Sequence, residues 1–220
     1  MTERFDPAST TRSDFPRISQ SAAAACVPTA ALHEAAGRIG ALPSAIKPVA
    51  AKMCVAGPAF TVQSPGGDNL WLHRAIYAAK PGDVLVVHVG GSYEYGYWGE
   101  IMATAAQARG IAGLIIDGGV RDAALLEEMN FPVLSRGLCI RGTGKDFGAA
   151  GALGHSVRIG DVVIRSGDLV AGDRDGVVAI PRDLAGGVIA AAQQREAQEA
   201  EILERLRAGE TTMAIYGFGK

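Results

Sequence analysis

The sequence predicts an α/β fold on three observations. Two apolar runs rich in β-branched residues, VLVVHV (84–89) and Leu114–Ile116, have the length of buried strands and lie next to stretches with helical spacing. The last third sets short apolar segments between Gly-Asp pairs at 160–161, 167–168 and 172–173, a pattern of antiparallel strands joined by turns. A run rich in Ala, Gln, Glu and Arg then forms a long helix from about 182 to 208. The layout is α/β over the first two thirds and antiparallel β over the last, with helices at both ends.

A chain of 220 residues, 48% of them hydrophobic, fits one domain (16–220) preceded by a polar arm over residues 1–15. The formal net charge of −2 and the lack of a basic block argue against a nucleic-acid partner. No apolar run is long enough for a membrane span, and the N-terminus lacks the apolar core of a signal peptide. A soluble, cytoplasmic protein is expected. Cys26, Cys54 and Cys139 are too dispersed for a zinc motif or a disulfide framework.

Taken in order, Val27-Pro28-Thr29 opens a short helix to about Gly37 with Thr29 as its cap, and 39–48 is a connector. The segment 52–63 is a strand interrupted at Gly57-Pro58, which points to a bulge or an edge position. Asp68 or Asn69 caps a helix that ends near Ala79. The stretch from Gly90 to Pro132 supplies a glycine-rich loop, a helix from Glu100 to about Arg109, the 114–116 strand, a charged turn and a second helix. Residues 132–135 are a short strand, and 137–155 are loops with at most one short strand. In the terminal helix the apolar positions thin out at the centre, so it needs a partner, and a neighbouring subunit is the natural one.

The charged turn is where the chemistry is placed. Leu114–Ile116 ends at Asp117, Gly118-Gly119 allows a sharp turn, and Arg121-Asp122 stand where a helix begins; ligands of open α/β sheets bind at such strand ends. Arg121 offers a planar fork for a carboxylate. Glu100 follows Gly99 at another helix start, where the Ile101 and Met102 amides can receive an anion. Asp122 and Glu100 are hard oxygen donors suited to Mg²⁺ or Mn²⁺. The pair also has a plainer reading, in which Asp122 caps the helix that follows it and Arg121 lies on the surface. The GTGKDFG stretch (142–148) lacks a phosphate-loop pattern, and His33, His73, His88 and His155 have no metal-ligand spacing. The aromatic cluster Tyr93, Tyr95, Tyr97 and Trp98 reads as packing, with a pocket wall as the alternative. Glu196, Glu199, Glu201 and Glu204 form a solvated face.

PGGDNLWLHRAI, KPGDVLVV, GYWGEIMATAAQARGIAGLIIDGGVRD, FPVLSRG, GTGK and GDRDGVVAIP, in this order, resemble the 4-hydroxy-4-methyl-2-oxoglutarate aldolases and the related regulator of ribonuclease activity A, over about residues 25–217. The resemblance implies a swivelling β/β/α-type domain, assembled as homotrimers or homohexamers with sites between subunits. It implies a divalent-metal-dependent lyase that cleaves 4-hydroxy-2-oxo dicarboxylates to pyruvate and decarboxylates oxaloacetate. Arg121 then matches the residue that binds the pyruvyl carboxylate, helped by the Gly99 turn and the Ile101 and Met102 amides. Asp122 matches the metal ligand, Glu100 the acid that holds metal-bound water, and Glu199, or next to it Glu196, a glutamate contributed by a neighbouring subunit. His88 departs from the acid many relatives carry there. The same resemblance also admits a non-catalytic protein that inhibits ribonuclease E by protein–protein contact.

Overall fold

The computed structural model describes residues 27–219; the arm expected over 1–15 and Cys26 lie outside them. In chain order the elements begin with α1 (Thr29–Ala35), β1 (Lys47–Pro48), β2 (Val55–Gln63), α2 (Leu70–Ala78), β3 (Val84–His88), α3 (Glu100–Ala108) and β4 (Gly113–Ile116). Next come β5 (Gly119–Val120), α4 (Ala123–Glu128), β6 (Val133–Ser135), β7 (Gly137–Leu138), β8 (Ala152–Leu153), β9 (Val157–Ile159) and β10 (Val162–Ile164). The chain ends with β11 (Leu169–Gly172), β12 (Val177–Ile180), the long α5 (Ala185–Arg207) and α6 (Thr212–Tyr216). This is a mixed α/β domain with a curled sheet and a long C-terminal helix.

The main sheet runs β1-β6-β4-β3-β2-β11-β12, and β8 also pairs with β2. From β6 to β2 the strands are parallel, and β1, β8, β11 and β12 add antiparallel pairs. Both faces of the parallel part are covered, so successive residues of one strand enter different cores. Leu85, Val87, Leu114 and Ile116 pack with α2 and α3, whereas Val84, Val86 and Ile115 pack with the β9–β10 hairpin. A third cluster joins α1 and the first turns of α5 to β11 and β12, through Leu32, Leu169, Ile180, Val188 and Ile189. Among the described residues no helix is long and apolar enough to cross a membrane.

Besides the segment 137–155, which holds two short strands, β7 and β8, where at most one was expected, two local expectations are corrected. β2 is neither interrupted nor at an edge: it runs unbroken for nine residues through Gly57-Pro58, near the middle of the sheet. Val55–Pro58 pair with β11 and Ala59–Gln63 with β3, so Pro58 is where the strand changes partner. Ala59 donates towards the β11 side, to Asp168 O at 2.8 Å. Pro58 therefore faces the β3 side just before that ladder begins, where no donor is needed. Gly57 is needed there too, because a Cβ would stand 2.8 Å from Gly82 O.

The second correction concerns Thr29, which is the first helical residue of α1 and not its cap. Its amide and hydroxyl both donate to Asp173, at 2.9 and 2.6 Å, and so tie α1 to the β11–β12 turn. Burial alone would raise the Asp173 pKa. The hydrogen bonds from the Thr29 hydroxyl and amide and from the Asp175 and Gly176 amides outweigh it and hold the carboxyl below its ordinary value. A depressed carboxyl stabilises the fold fully above the unfolded-chain pKa and loses that contribution as pH falls through the folded one. Asp173→Asn should therefore flatten the acid limb of a urea-unfolding profile taken from about pH 5 down to about pH 2. Parallel profiles for the two proteins would show that Asp173 is unperturbed.

Candidate active site at the carboxyl edge of the sheet

The parallel strands deliver their carboxyl ends to one edge: Ser64–Asn69 after β2, His88 and the 89–99 loop after β3, Asp117–Asp122 after β4, and Arg136–Arg141 after β6. There β5 and β7 form a small parallel ladder, Gly119 beside Gly137 and Val120 beside Leu138. The aromatic loop lies across it. Gly119 donates to Tyr93 O (2.9 Å), Tyr97 to Gly119 O (3.0 Å) and Arg121 to Trp98 O (2.9 Å). A Cβ on Gly96 would sit 2.4 Å from Cys139 O, so only glycine allows this approach.

Tyr97 and Trp98 are fully buried. Trp98 stacks on Phe131, and the Tyr97 hydroxyl accepts from Gly67 N and donates to Ser92 O. Burial raises the Tyr97 pKa, keeping this phenol a neutral donor. Packing is thus the role of these two rings, while Tyr93 and Tyr95 lie under the guanidinium groups of Arg136 and Arg141. The 142–148 stretch is tied to the β2–α2 turn, with Asp68 accepting from Leu70 N and Asp146 N, and no helix follows it as a phosphate loop would require. Asn69 occupies the cap position of α2, but its side chain donates instead to Tyr97 O and Met102 Sδ.

Asp122 does not cap the helix that follows it. It occupies the cap position of α4 in a left-handed conformation, φ 61°, and makes no side-chain bond to α4. Its Oδ2 instead accepts the amide of Glu100 at 3.0 Å, capping α3 from the neighbouring loop. Gly99 makes room, since a Cβ there would stand 2.2 Å from Asp122 Oδ2 and 3.2 Å from Arg121 Cγ. Among the described residues, Asp122 Oδ1 and the amides of Ile101 and Met102 have no hydrogen-bond partner. Two donors are thus left at the start of a nine-residue helix.

Arg121 Nε lies 4.0 Å from Asp122 Oδ2, and both side chains open onto a cleft of about 410 Å³. Val120, Ala123, Leu138, Cys139 and Ile140 complete its wall. The structure thus sets the α3 start, Gly99 to Met102, against Arg121 and Asp122 through the Glu100 amide, and of these residues Arg121 and Asp122 line the cleft itself. Glu199 and Glu196 do not line this cleft within one chain; Glu199 is paired with Arg195 at 2.8 Å on α5. Among the described residues no three His, Cys, Asp or Glu side chains converge on a common point.

Sequence reasoning missed one cluster. Asp117, 1% exposed, ends β4 with Oδ1 held by Arg136 Nε at 2.5 Å, while His88 Nδ1 stands 3.5 Å from Oδ2 without a hydrogen bond. An acidic residue closing a fully apolar strand was the available signal, because a carboxylate held that deep needs a cation.

A family model described as RraA-like, Aldolase/RraA, matches residues 25–179. The chain is 36% identical to a putative 4-hydroxy-4-methyl-2-oxoglutarate aldolase of Halalkalibacterium halodurans, over 87% of this chain and 90% of that one. An uncharacterized protein from Pseudomonas syringae has a similar structure, with TM-score 0.79 and 29% identity over 91% and 94% of the two chains. Streptomyces coelicolor RraAS2, described as an unusual member of the RNase ES inhibitor RraA family, superposes with TM-score 0.73 and 26% identity over 86% and 98%. The matched region contains all the parallel strands and every residue gathered at their carboxyl edge, and the chain belongs to the RraA-like, aldolase/RraA family.

Proposed function

We propose that the protein is a divalent-metal-dependent carbon–carbon lyase. It cleaves 4-hydroxy-2-oxo dicarboxylates of the 4-hydroxy-4-methyl-2-oxoglutarate type to pyruvate, and decarboxylates oxaloacetate. The observation that carries this reading is the bond between Asp122 and the Glu100 amide, which joins the Arg121–Asp122 pair at the cleft to the start of α3 with its two free amides. Support also comes from the relative named as a putative aldolase.

The donor set fits a hard cation. Asp122 keeps one carboxylate oxygen without a hydrogen-bond partner and Glu100 begins the adjacent helix, and an ion such as Mg²⁺ keeps several of its waters and binds through one or two carboxylates. When bound, such an ion supplies positive charge that stabilises the enolate of pyruvate. The chain's own residues do the rest. Arg121 grips the substrate carboxylate through its fork, and the Ile101 and Met102 amides orient it. In aldol cleavage the C3–C4 bond breaks, its electron pair passes to the pyruvate enolate, and C4 becomes a carbonyl. Glu100 accepts the proton that leaves the C4 hydroxyl, through an intervening water. Decarboxylation breaks the C3–C4 bond of oxaloacetate, its electron pair passing to the same enolate as CO₂ leaves, and needs no such base; in both reactions C3 then takes a proton from water to give pyruvate. Glu199, with Glu196 as the next choice, completes the site from a neighbouring subunit of a homotrimer or homohexamer.

EDTA should abolish pyruvate release from oxaloacetate, and Mg²⁺ or Mn²⁺ should restore it. No release above background with either metal, together with tight binding to ribonuclease E, would favour the inhibitor reading. Glu100→Gln should slow aldol cleavage on the order of 100-fold, in line with the loss of a general base, and decarboxylation much less. Equal losses in both reactions would remove Glu100 from its role. Gly99→Ala should displace Asp122 from the α3 start and cut both activities on the order of 100-fold while far-UV circular dichroism stays unchanged. Wild-type turnover in that variant would show that the contact does not shape the site.

A further inference from the structure

Beneath the cleft lies a second charged group that the proposed reaction does not use. We propose that the pair of buried Asp117 and partly buried Arg136, with Tyr93, is a positioning device that holds Arg121 at the angle needed to grip the substrate; the inference rests on the reading of Arg121 as the carboxylate anchor. The argument begins with burial. Asp117 is 1% exposed, and its amide is committed to Val87 O in the sheet, so its place is set by β3 and β4. Among the described residues Arg136 is the one group that donates a hydrogen bond to its carboxylate, at 2.5 Å. His88 approaches the other oxygen but makes no hydrogen bond. A carboxylate at this depth relies on that guanidinium, and weakening the pair would shift the segment that carries it.

That segment leads directly to Arg121. The Arg136 amide donates to Gly118 O at 3.0 Å, and the β5–β7 ladder starts at the next residue of each strand. The ladder is two residues long, and Arg121 and Cys139 stand at its far end. Arg136 therefore fixes the base of a short lever whose tip is the proposed anchor and one wall of the cleft. A third segment is locked by the same side chain. The guanidinium lies 4.0 Å from the Tyr93 ring centroid, and the Tyr93 carbonyl accepts the Gly119 amide. The loop that ends at Gly99 and the turn that ends at Asp122 are thereby held in one register. Arg136 does not line the cleft, so its contribution reaches the chemistry through Arg121.

Arg136→Lys tests this, because lysine keeps the positive charge beside Asp117 while losing the planar fork and the stacking on Tyr93. With oxaloacetate and Mg²⁺, KM should rise on the order of tenfold while kcat changes by less than about threefold, as expected for a misplaced anchor. Pyruvate binding by calorimetry should weaken by a similar factor, with the urea midpoint near that of the wild type. In an Arg121→Ala background the same lysine should add nothing further, since both changes act through one contact. Unchanged KM and binding, or losses that multiply in the double variant, would overturn the inference. Should the lysine variant fail to fold, Tyr93→Leu removes the stacking platform alone and should move KM in the same direction by a smaller factor; no change would overturn the inference equally. If Arg121→Ala itself binds pyruvate like the wild type, it is the anchor reading that falls.

Discussion

The site depends on one hydrogen bond between two loops, from the Glu100 amide to the Asp122 carboxylate. Two backbone conditions make it possible. Asp122 adopts a left-handed conformation, which costs a non-glycine residue about 1–2 kcal/mol, although Asp tolerates it better than most. Gly99 contributes no side chain where one would collide with the carboxylate. A hydrogen bond contributes on the order of 1 kcal/mol net, comparable with the cost of the strained backbone. The left-handed residue also turns its carboxylate away from its own helix towards the next one. One acidic group therefore closes the start of α3, remains available through its second oxygen, and brings Arg121 alongside.

This contact would be of little use without a rigid frame behind it. Leu114, Ile115 and Ile116 are fully buried, alternating between two cores, and each contributes about 1.5–3 kcal/mol by burial. The turn that carries Arg121 thus leaves a strand that has no freedom to slip. The partner change of β2 at Pro58 joins the parallel strands to the antiparallel β11–β12 pair and bends the sheet. Four parallel strands, each ending in a loop at one edge, crowd enough backbone together there for the loops to hold one another by main-chain bonds.

Much of this was legible in the residues because it follows from local periodicity. The 84–88 and 113–116 strands, α3 starting at Glu100, the Gly-Asp turns of the last third and the long terminal helix are all written in spacing and composition. The meeting of Arg121, Asp122 and Glu100 was legible too, since each stands just past an element boundary on the same edge. Long-range partnerships were not. Nothing local tells that Asp122 serves the helix 22 residues before it, or that Thr29 answers to Asp173 from 144 residues away. Gly57-Pro58 misled for the same reason. The rule that proline avoids central strands assumes two continuous neighbours, and β2 has one neighbour before Pro58 and another after it. Arg136 escaped notice because its significance lies in Asp117, which is 19 residues away and buried only in the folded sheet.

The terminal helix shows how a residue can stand apart from the site in one chain and still fit the proposed assembly. The buried residues of α5 end at Ala192; beyond it the helix presents mostly charged and small side chains. There the Arg195–Glu199 pair is about half exposed on both sides, and such i,i+4 pairs contribute only about 0.3–0.5 kcal/mol. For Glu199 to leave Arg195 and face a cleft on another subunit therefore costs little. A carboxylate that is itself buried and held by a guanidinium, as Asp117 is, could not be recruited in that way. On the proposed reading the two kinds of acid would divide the work by their depth, the buried one fixing geometry within the chain and the exposed one open to sharing between subunits.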